Sequence, residues 1–487
     1  MERKNCVLYI LLLLGFAVLA GCDDESFSTS QANMLTFTAD TVSLDTMFST
    51  VPSSTRSFWV YNKSGDGIRC TSVRLERGNQ SGFRVNLDGQ YLGQSEGYNV
   101  GDIEMRNKDS IRVFVEITMP RNNRDKPVEV LDNLVFTLES GRQQKVCLKA
   151  SSWDADILRQ CKITDDYTID ATERPLVVYG GIEVAAGATL TIKPGSTIYF
   201  HSGGGLDVHG RLVCEGTAGK GITLRGDRLD RMFDYLPYDR VSGQWGGVRF
   251  YEESYDNVVA YTDIHSTFDG VRVDSSDVDR QTLTLQNSII HNCQGYGLVM
   301  EASKVSVENC QITNTLNDCV YADGGDVSIN SSTLAQFYPF DAKRGYAIRF
   351  SAVKNPLVRL QCLNSIITGY ADDMLQRDYD KDGTNAESYF FGHCVIRTPE
   401  VGEEYADKFV SVVFEDVEDT TRFGMKHFAL VDGDEQRYDF RLTEKSAAIG
   451  VADPETATSS DRDGKRRKEK PDAGAYEFTD DDNDNQK

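Results

Sequence analysis

The amino-acid sequence predicts an all-β protein in which a β-sandwich precedes a stack of repeated coils. The phrases LTLQNSII at 283–290, VSVENCQI at 305–312 and VSINSSTL at 327–334 recur every 22 residues. Each phrase alternates apolar and polar residues, and such a short strand buries its apolar face only by stacking on copies of itself. The chain before the repeats carries about seven irregularly spaced alternating strands in about 115 residues, which favours an antiparallel sandwich.

Changes in composition divide the chain into six segments. The N-terminal apolar run is too short to span a bilayer and is typical of a secretory signal. The predicted segments are a signal peptide at 1–21, a tether at 22–34, the β-sandwich at 35–152, the coil stack at 153–440, a C-terminal cap motif at 441–478 and an acidic disordered tail at 479–487.

Three stretches resemble known protein classes. The phrases LTIKPGSTIYF at 190–200, LDVHGRLVCEGT at 206–217 and ITL at 222–224 resemble the opening coils of right-handed parallel β-helix proteins of the pectate-lyase-like class. The strands between 58 and 117 resemble the immunoglobulin-like spacer modules of bacterial surface proteins. The pattern DxxGxxR at 461–467, followed by DxGAYE at 472–477, resembles the C-terminal signature of secreted Bacteroidetes β-helix proteins.

These resemblances imply a fold and leave the activity open. We expect roughly eight to ten coils, with Leu285, Val307 and Ile329 stacked in one inward column. The immunoglobulin-like module implies a spacer or docking role. The β-helix fold hosts lyases, hydrolases, adhesins and passive scaffolds, so it does not by itself define a reaction.

The N-terminal region predicts the location of the protein. The stretch LAGC at 19–22 resembles the bacterial lipobox, which implies that Cys22 carries lipid chains that anchor the protein to a membrane. An ordinary signal peptide cleaved nearby is the alternative. The acidic stretch at 23–25 resembles the surface-export signal of Bacteroidetes lipoproteins, which implies a place on the outer membrane, facing outward. The net charge of −23 argues against nucleic-acid binding, and the oligomeric state is left open.

Two residue types are interpreted as structural. Asparagine or serine occupies an equivalent turn in successive coils and is predicted to form a ladder of side-chain hydrogen bonds, at Asn287, Asn309, Ser331 and Asn364. The cysteines contain no CxxC pair and therefore indicate no zinc site. The pair formed by Cys70 and Cys147 is the leading disulfide candidate, because both lie in predicted strands of one domain.

A row of arginines is the first candidate binding site. Five equivalent strands place one outward residue each in a single line, and those residues are Arg249, Arg272, Val299, Tyr321 and Arg349. Because the guanidinium fork matches carboxylates and sulfates, this stripe could bind an anionic polysaccharide. Alternatively, the arginines pair with nearby acids such as Asp269, Asp274 and Asp318.

The insertion between Arg225 and Trp245 is the second candidate. Insertions of this length in a regular solenoid are usually functional or cover a sheet. This one is rich in aromatic residues, and Tyr235, Tyr238 and Trp245 could stack on sugar rings. The alternative is that these rings only anchor the loop by burial.

The third candidate is a calcium turn. Asp378, Asp380 and Asp382 precede Gly383 in the spacing DxDxDG, and Thr384 could add a backbone carbonyl. The twelfth position is Tyr389 rather than the closing acid of a calcium loop, so a solvated acidic turn is the alternative. Calcium is the only cofactor that the sequence suggests.

No enzyme signature is complete. Arg249 and Arg272 with Asp263 and Asp269 only approximate a pectate-lyase site, and the histidines, among them His265 and His291, are interpreted as scattered turn residues. The leading hypothesis is therefore a non-catalytic surface lipoprotein whose β-helix binds glycan or serves in adhesion or scaffolding. The alternative is a polysaccharide lyase or glycoside hydrolase that acts on acidic polysaccharide along the same face.

Overall fold

The computed structural model describes residues 27–95 and 97–479, which form two compact units that divide between Asp154 and Ala155. The predicted signal peptide, the lipidation site Cys22 and residues 480–487 of the predicted tail lie outside the described residues. Both units are built of β-strands, and the described chain adds four short 3-10 helices, Gly78–Gln80, Tyr238–Arg240, Glu403–Tyr405 and Gly424–His427. Among the described helices, none is long and apolar enough to cross a bilayer.

The first unit contains two β-sheets. The strands of the five-stranded sheet, in spatial order, are Leu35–Phe37, Arg56–Asn62, Ser110–Ile117, Phe83–Leu87 and Gln90–Tyr91. The strands of the six-stranded sheet, in spatial order, are Thr41–Phe48, Gln143–Trp153, Val128–Leu138, Ile68–Leu75 and Asn99–Val100, with Ile103–Met105 also paired to Ile68–Leu75. Thr41–Phe48 runs parallel to its neighbour, and the other described pairs in this unit are antiparallel.

The two sheets of the first unit share one apolar core. Val60 and Val113 contribute from the five-stranded sheet, and Phe136 and Leu148 contribute from the six-stranded sheet, all fully buried. Alternate residues of each strand point inward, which is the pattern expected of a sheet with one solvated face. The unit is therefore all-β around a common core, and its immunoglobulin-like character stays a prediction.

The candidate disulfide between Cys70 and Cys147 is not formed, because both thiols are free. Cys70 is in register with Leu138, and Cys147 is in register with Asn133, on opposite sides of the strand Val128–Leu138. Two strand spacings amount to about 9.6 Å, which exceeds the Cα separation of about 7 Å that a disulfide tolerates.

The second unit is a parallel β-helix with three sheets, which we call A, B and C. The chain visits them in the order A, C, B in each coil. Sheet A contains Leu206–Val208, Val248–Phe250, Val271–Val273, Leu298–Glu301, Val320–Asp323, Ile348–Ser351 and Leu375–Asp378. Sheet B contains Thr197–Phe200, Ile222–Gly226, Thr262–His265, Ile289–Cys293, Gln311–Thr315, Thr333–Gln336, Ile366–Gly369, Val395–Ile396 and Val413–Phe414. Sheet C contains Tyr167–Ile169, Thr189–Ile192, Arg211–Glu215, Asn257–Ala260, Leu283–Gln286, Lys304–Glu308, Gly325–Asn330, Leu357–Leu363, Glu387–Gly392 and Phe409–Val410.

Two further sets of strands complete this unit. The long strands Asp156–Ile163 and Leu176–Val184 pair with each other and join sheets A and B at the first coils. Two antiparallel hairpins lie outside the coils, and their strands are Arg231–Phe233 with Leu236–Pro237, and Phe428–Asp432 with Arg437–Leu442. The ten described strands of sheet C agree with the predicted coil number.

The register of the repeats is the predicted one. Leu285 pairs with Val307, and Val307 pairs with Ile329, on neighbouring strands of sheet C. All three side chains are fully buried in the core of the coils. The predicted inward column is therefore confirmed, because a two-residue side-chain period combined with a 22-residue repeat permits only this alignment.

The turns between sheets C and B carry the predicted column of small polar residues. Asn287, Asn309, Ser331 and Asn364 adopt left-handed backbone conformations with φ between 50° and 52°. Asn309 Nδ2 donates to Asn287 Oδ1 at 3.1 Å, whereas Asn364 Nδ2 donates to Asn330 Oδ1 at 2.9 Å. Asparagine tolerates this conformation better than most residues, so backbone geometry as well as hydrogen bonding explains the column.

The segment from Phe428 to Phe478 lies along the side of the coils, against the outer face of sheet B. Its apolar side chains pack on Ala335, Ile366 and Val395, which point outward from that sheet. Tyr476 Oη donates to Gln311 Oε1 at 2.7 Å, and the Ala475 amide donates to Thr333 Oγ1 at 3.0 Å. The predicted cap motif at 441–478 thus covers one face of several coils.

Candidate functional site

The predicted arginine stripe lies on the outer face of sheet A. Arg249 is the register partner of Arg272, and Tyr321 is the register partner of Arg349, with Val299 between the two pairs. The five strands therefore align as the sequence predicted. Next to the stripe, Gly203–Gly205, Gly246 and Gly247 line a shallow depression of about 300 Å³ together with Arg249 and Arg272.

Each arginine of the stripe is paired with an acid. The ion pairs are Arg249 with Asp274 at 2.8 Å, Arg272 with Asp269 at 3.2 Å and with Glu301 at 3.4 Å, and Arg349 with Asp378 at 2.7 Å. Asp318, another expected partner, instead accepts a hydrogen bond from the Tyr346 amide at 2.7 Å. The stripe thus presents hydrogen-bonding groups whose charges are balanced.

Tyr321 lies within the stripe and is framed by two other side chains. Its ring stacks against Tyr296 with centroids 5.8 Å apart, and the Arg349 guanidinium lies 5.2 Å from its centroid. Burial raises the pKa of the Tyr321 hydroxyl, and the Asp323 carboxylate adds to this shift. The hydroxyl is therefore a neutral donor and acceptor at physiological pH.

The aromatic residues of the insertion have different environments. Trp245 is 2% exposed, stacks on Phe200 at 4.2 Å and donates its indole N–H to the His265 carbonyl. The prediction that Trp245 contacts a ligand is therefore wrong, because its ring completes the core of the coils. Tyr238 lies beneath the Arg228 guanidinium at 3.8 Å. Tyr235 is 54% exposed on the hairpin tip.

The predicted calcium turn is closed by its own hydrogen bonds. The Asp380 carboxylate accepts from the amides of Thr384 at 2.7 Å, Asp382 at 3.0 Å and Asn385 at 3.1 Å. The Thr384 hydroxyl and these amides hold the pKa of Asp380 at about 2. Asp378 already pairs with Arg349. Calcium binding stays a prediction, and an ion would have to compete with these partners.

A cleft of about 620 Å³ opens between the outer face of sheet B and the C-terminal segment. The sheet supplies Ile289, His291 and Thr313, and the opposite wall includes Asp439, Arg441 and Arg462. The insertion between sheets B and A contributes Asp239 and Arg240. This cleft is more than twice the volume of the depression on sheet A, and a large concave site is the usual position for a ligand.

A cluster of two aspartates and two histidines lies where the cleft meets sheet B. His265 Nδ1 is 2.9 Å from Asp263 Oδ1, and His291 Nε2 is 3.2 Å from the same oxygen. His265 Nε2 is 3.0 Å from Asp239 Oδ1, and Arg225 forms an ion pair with that carboxylate. The two imidazole rings stack with centroids 4.7 Å apart. We call Asp239, Asp263, His265 and His291 the histidine cluster.

The cluster has strongly perturbed electrostatics. Burial opposes a charge on His265, but Asp263 and Asp239 outweigh it and raise the pKa of His265 to about 9. Burial likewise opposes the charge on Asp239, but His265 and Arg225 hold its pKa at about 2. The pKa of Asp263 also falls well below its usual range, despite burial, because both histidines face it. Such paired shifts are characteristic of functional sites and of structural ion-pair networks.

Sequence reasoning missed this cluster. His265 and His291 lie in strands of sheet B, so their interpretation as scattered turn residues was wrong. The alternation of apolar and polar residues in these two strands could have predicted the pair. The register that aligns Ile264 with Ile290 also aligns His265 with His291. Asp239 had no such signal, since it comes from the irregular insertion. Asp263 lies on sheet B and the arginine stripe on sheet A, so the sketched pectate-lyase site is not assembled.

Comparison with known proteins supports the architecture. The family described as "Right handed beta helix region" matches residues 146–334, so the coils form a right-handed parallel β-helix. No curated protein sequence matches this chain.

Solved structures resemble the chain only weakly. Pectate lyase Pel9A is 13% identical, with a TM-score of 0.26, over 67% of this chain and 88% of the lyase. The catalytic unit of a GH87 α-1,3-glucanase from Streptomyces thermodiastaticus is 12% identical, with a TM-score of 0.26, over 73% of this chain and 88% of the glucanase. A family 123 glycoside hydrolase from Clostridium perfringens is 9% identical, with a TM-score of 0.19, and this chain spans only 30% of its length.

Proposed function

We propose that this protein is a surface lipoprotein that binds a polysaccharide in the cleft between sheet B and the C-terminal segment. In this proposal lipid on Cys22 anchors the chain to the outer membrane, and the first unit acts as an immunoglobulin-like spacer. The observation that carries the proposal is the cleft, whose walls are polar and whose volume is about 620 Å³.

Two polar side-chain atoms of residues that line the cleft are unsatisfied. Asn314 Oδ1 and Arg462 Nε have no hydrogen-bond partner among the described residues, although both atoms are shielded from solvent. Leaving such a group unsatisfied costs about 1–3 kcal/mol. A sugar hydroxyl can both donate and accept, so it could relieve this cost if the two side chains turned toward the ligand on binding.

The charges of the cleft favour a neutral polysaccharide over an acidic one. Arg437 pairs with Glu435 at 3.3 Å, Arg441 with Asp439 at 2.9 Å and Arg462 with Asp463 at 3.1 Å. The stripe on sheet A is neutralised in the same way. Among the described contacts of these arginines, Arg240 is the exception, because its guanidinium donates to the Glu435 carbonyl at 3.0 Å and forms no ion pair. The others are engaged with carboxylates, which makes them poorer recognition groups for the carboxylates or sulfates of a ligand.

The insertion adds a platform for sugar rings. Phe233 and Tyr235 are 52% and 54% exposed, and their rings stack nearly parallel at 5.7 Å. The same insertion supplies Asp239 and Arg240 to the cleft. Flat, exposed aromatic faces attached to a polar cleft suit the alternating apolar and polar surfaces of a sugar chain.

Retention on immobilised polysaccharides tests the proposal. A panel of neutral and acidic polysaccharides should retain the protein on at least one neutral member. Tyr235→Ala and Arg437→Ala should each lose retention, because they remove an exposed ring and a cleft donor. Tyr91→Ala is the matched control, since Tyr91 is 50% exposed in the first unit. Equal retention of all four proteins would place binding elsewhere, and Arg272→Ala would then test the stripe.

Catalysis on a polysaccharide is the second candidate function, and the histidine cluster favours it. His291 lines the cleft, and a carboxylate–imidazole pair can move a proton to or from a bound sugar. A lyase acting on uronic acids produces a double bond that absorbs in the ultraviolet, whereas a hydrolase produces reducing ends. Product that disappears with Asp263→Asn would establish catalysis, and retention without product would support binding alone.

A further inference from the structure

We propose that Asp263, His265 and His291 bind one divalent transition-metal ion, with Zn²⁺ the best match, where the cleft meets sheet B. Asp263 Oδ1, one ring nitrogen of His265 and one of His291 all lie within 4.8 Å of one another. The site goes beyond polysaccharide binding, because it can be occupied when no sugar is present.

The spacing of the donor atoms is close to that of a tetrahedral ion. Zinc–nitrogen and zinc–oxygen bonds of about 2.0–2.2 Å place neighbouring donors of a tetrahedron about 3.3–3.6 Å apart. Asp263 Oδ1 lies 2.9 Å from His265 Nδ1 and 3.2 Å from His291 Nε2, both slightly shorter than these values. A small outward movement of the three side chains would therefore be needed to admit the ion.

The backbone holds these donors at fixed positions. Asp263 and His265 are two residues apart on one strand and point to the same face, and His291 is the register partner of His265 on the next strand. Sites built on sheet strands are more rigid than sites built on loops. The apolar core beneath the strands includes Ile264 and Ile290, both fully buried.

Asp239 serves as the positioning residue of this site. The second ring nitrogen of His265, Nε2, faces Asp239 Oδ1 at 3.0 Å, and Arg225 holds the same carboxylate. Metal-binding histidines usually donate their other ring N–H to a carboxylate, which fixes the tautomer and the orientation of the ring. His265 already has this arrangement, with Nδ1 directed at Asp263 and Nε2 at Asp239.

The donor set indicates which ion is bound. Two imidazole nitrogens and one carboxylate suit zinc and its neighbours in the transition series, whereas calcium and magnesium favour sets made of oxygen donors alone. Three protein donors leave a fourth position for water, as in zinc sites that are open to a ligand. His291 lines the cleft, so the fourth position would face it.

Metal titration of the full chain, purified without a histidine tag and stripped with a chelator, tests the proposal. Co²⁺ should bind at one equivalent and give the intense visible bands of a four-coordinate or five-coordinate ion. Zn²⁺ should displace it in competition with a chromophoric chelator. His291→Ala and Asp263→Asn should each weaken Zn²⁺ binding by more than the roughly 10–100-fold that loss of an outer partner causes. Asp239→Asn should weaken it by about 10–100-fold while keeping one equivalent.

The matched control is His209→Ala. His209 Nδ1 is 2.6 Å from Glu253 Oε1, a histidine–carboxylate pair outside the cluster, so this variant should bind Zn²⁺ like the parent protein. The proposal fails if the parent binds no metal, if Asp263→Asn binds as tightly as the parent, or if His209→Ala loses binding equally. Asp263→Asn keeps the shape of the side chain, so it decides the question even if His291→Ala does not fold.

The two proposals fail independently. Metal binding without retention on any polysaccharide would leave the metal site in place and contradict the proposed function. Retention on a polysaccharide without metal binding would support the proposed function and contradict the metal site. The histidine cluster would then be a metal-free network of histidines and aspartates.

Discussion

The Arg467 guanidinium fixes the C-terminal segment to the coils. Its side chain is 3% exposed, and its nitrogens lie 3.3 Å from Glu477 Oε2, 3.0 Å from Asn309 Oδ1 and 2.8 Å from the Gly474 carbonyl. Arg467→Ala would leave Glu477 buried without its partner, so we expect the free energy of unfolding to fall by about 3–5 kcal/mol. Urea denaturation followed by circular dichroism measures this loss.

The neighbouring residue supplies the control for that experiment. Arg466 is exposed, so Arg466→Ala should change the free energy of unfolding by less than about 0.5 kcal/mol. A similar loss in both variants would mean that overall positive charge matters and that the buried pair does not. The sequence singled out Arg467 as part of a signature, but its partner Asn309 lies 158 positions away and only the fold reveals it.

Asp380 gives a prediction about pH. Hydrogen bonds from the Thr384 side chain and from nearby amides lower its pKa from 3.8 to about 2. Because the folded pKa lies below the unfolded value, the stabilisation of this turn is fully present above about pH 4 and is lost as the pH falls through about 2. Relative to an unstructured amide at the same pH, the amides of Thr384 and Asn385 should therefore stay protected from hydrogen exchange at pH 4 and lose protection toward pH 2, whereas Asp380→Asn should be less protected throughout. Loss of protection in the parent already at pH 4 would contradict a lowered pKa of Asp380.

Among the elements, the turns between sheets C and B depend on backbone conformation. Asn287 has φ of 50° and accepts a hydrogen bond from Asn309. The Asn287→Gly variant loses that bond, but glycine adopts the left-handed conformation readily. The Asn287→Ala variant also loses the bond, and its Cβ makes the left-handed backbone unfavourable by roughly 1–2 kcal/mol. We therefore expect the alanine variant to be the less stable of the two by about 1 kcal/mol in urea denaturation. Equal stability would show that the side-chain bond alone explains the column.

The strands could be predicted from the sequence, and the irregular elements could not. The column of Leu285, Val307 and Ile329 follows from a two-residue side-chain period inside a 22-residue repeat. The insertion interrupts that period, so neither the burial of Trp245 nor the position of Asp239 beside His265 could be derived. The sequence aligned the strands of the arginine stripe correctly. It did not predict that Arg349 pairs with Asp378, which lies on the next strand of sheet A.

At the scale of the whole molecule, the proposed lipid anchor on Cys22 gives a prediction about where the protein is found. Cys22→Ala should move the protein from the membrane fraction to the soluble fraction, because the lipid chains supply about 0.8 kcal/mol for each buried CH₂ group. Cys161→Ala is a suitable control, since it removes a partly buried thiol of the second unit. Fractionation with immunoblotting measures the change. Protease added to intact cells should digest the parent protein, and complete protection would contradict an outward-facing position.

The position of the last described residues has a consequence for synthesis in the cell. Outward-facing Ile366 and Val395 are covered by side chains such as Phe440 and Phe478, which leave the ribosome after the coils are complete. The contacts span long stretches of sequence, 142 residues between Ala475 and Thr333 and 165 between Tyr476 and Gln311. A chain that stops before residue 440 would keep an uncovered apolar surface, which proteases and chaperones recognise. We therefore expect chains that stop before residue 440 to be degraded, so that the fold itself selects against prematurely terminated copies.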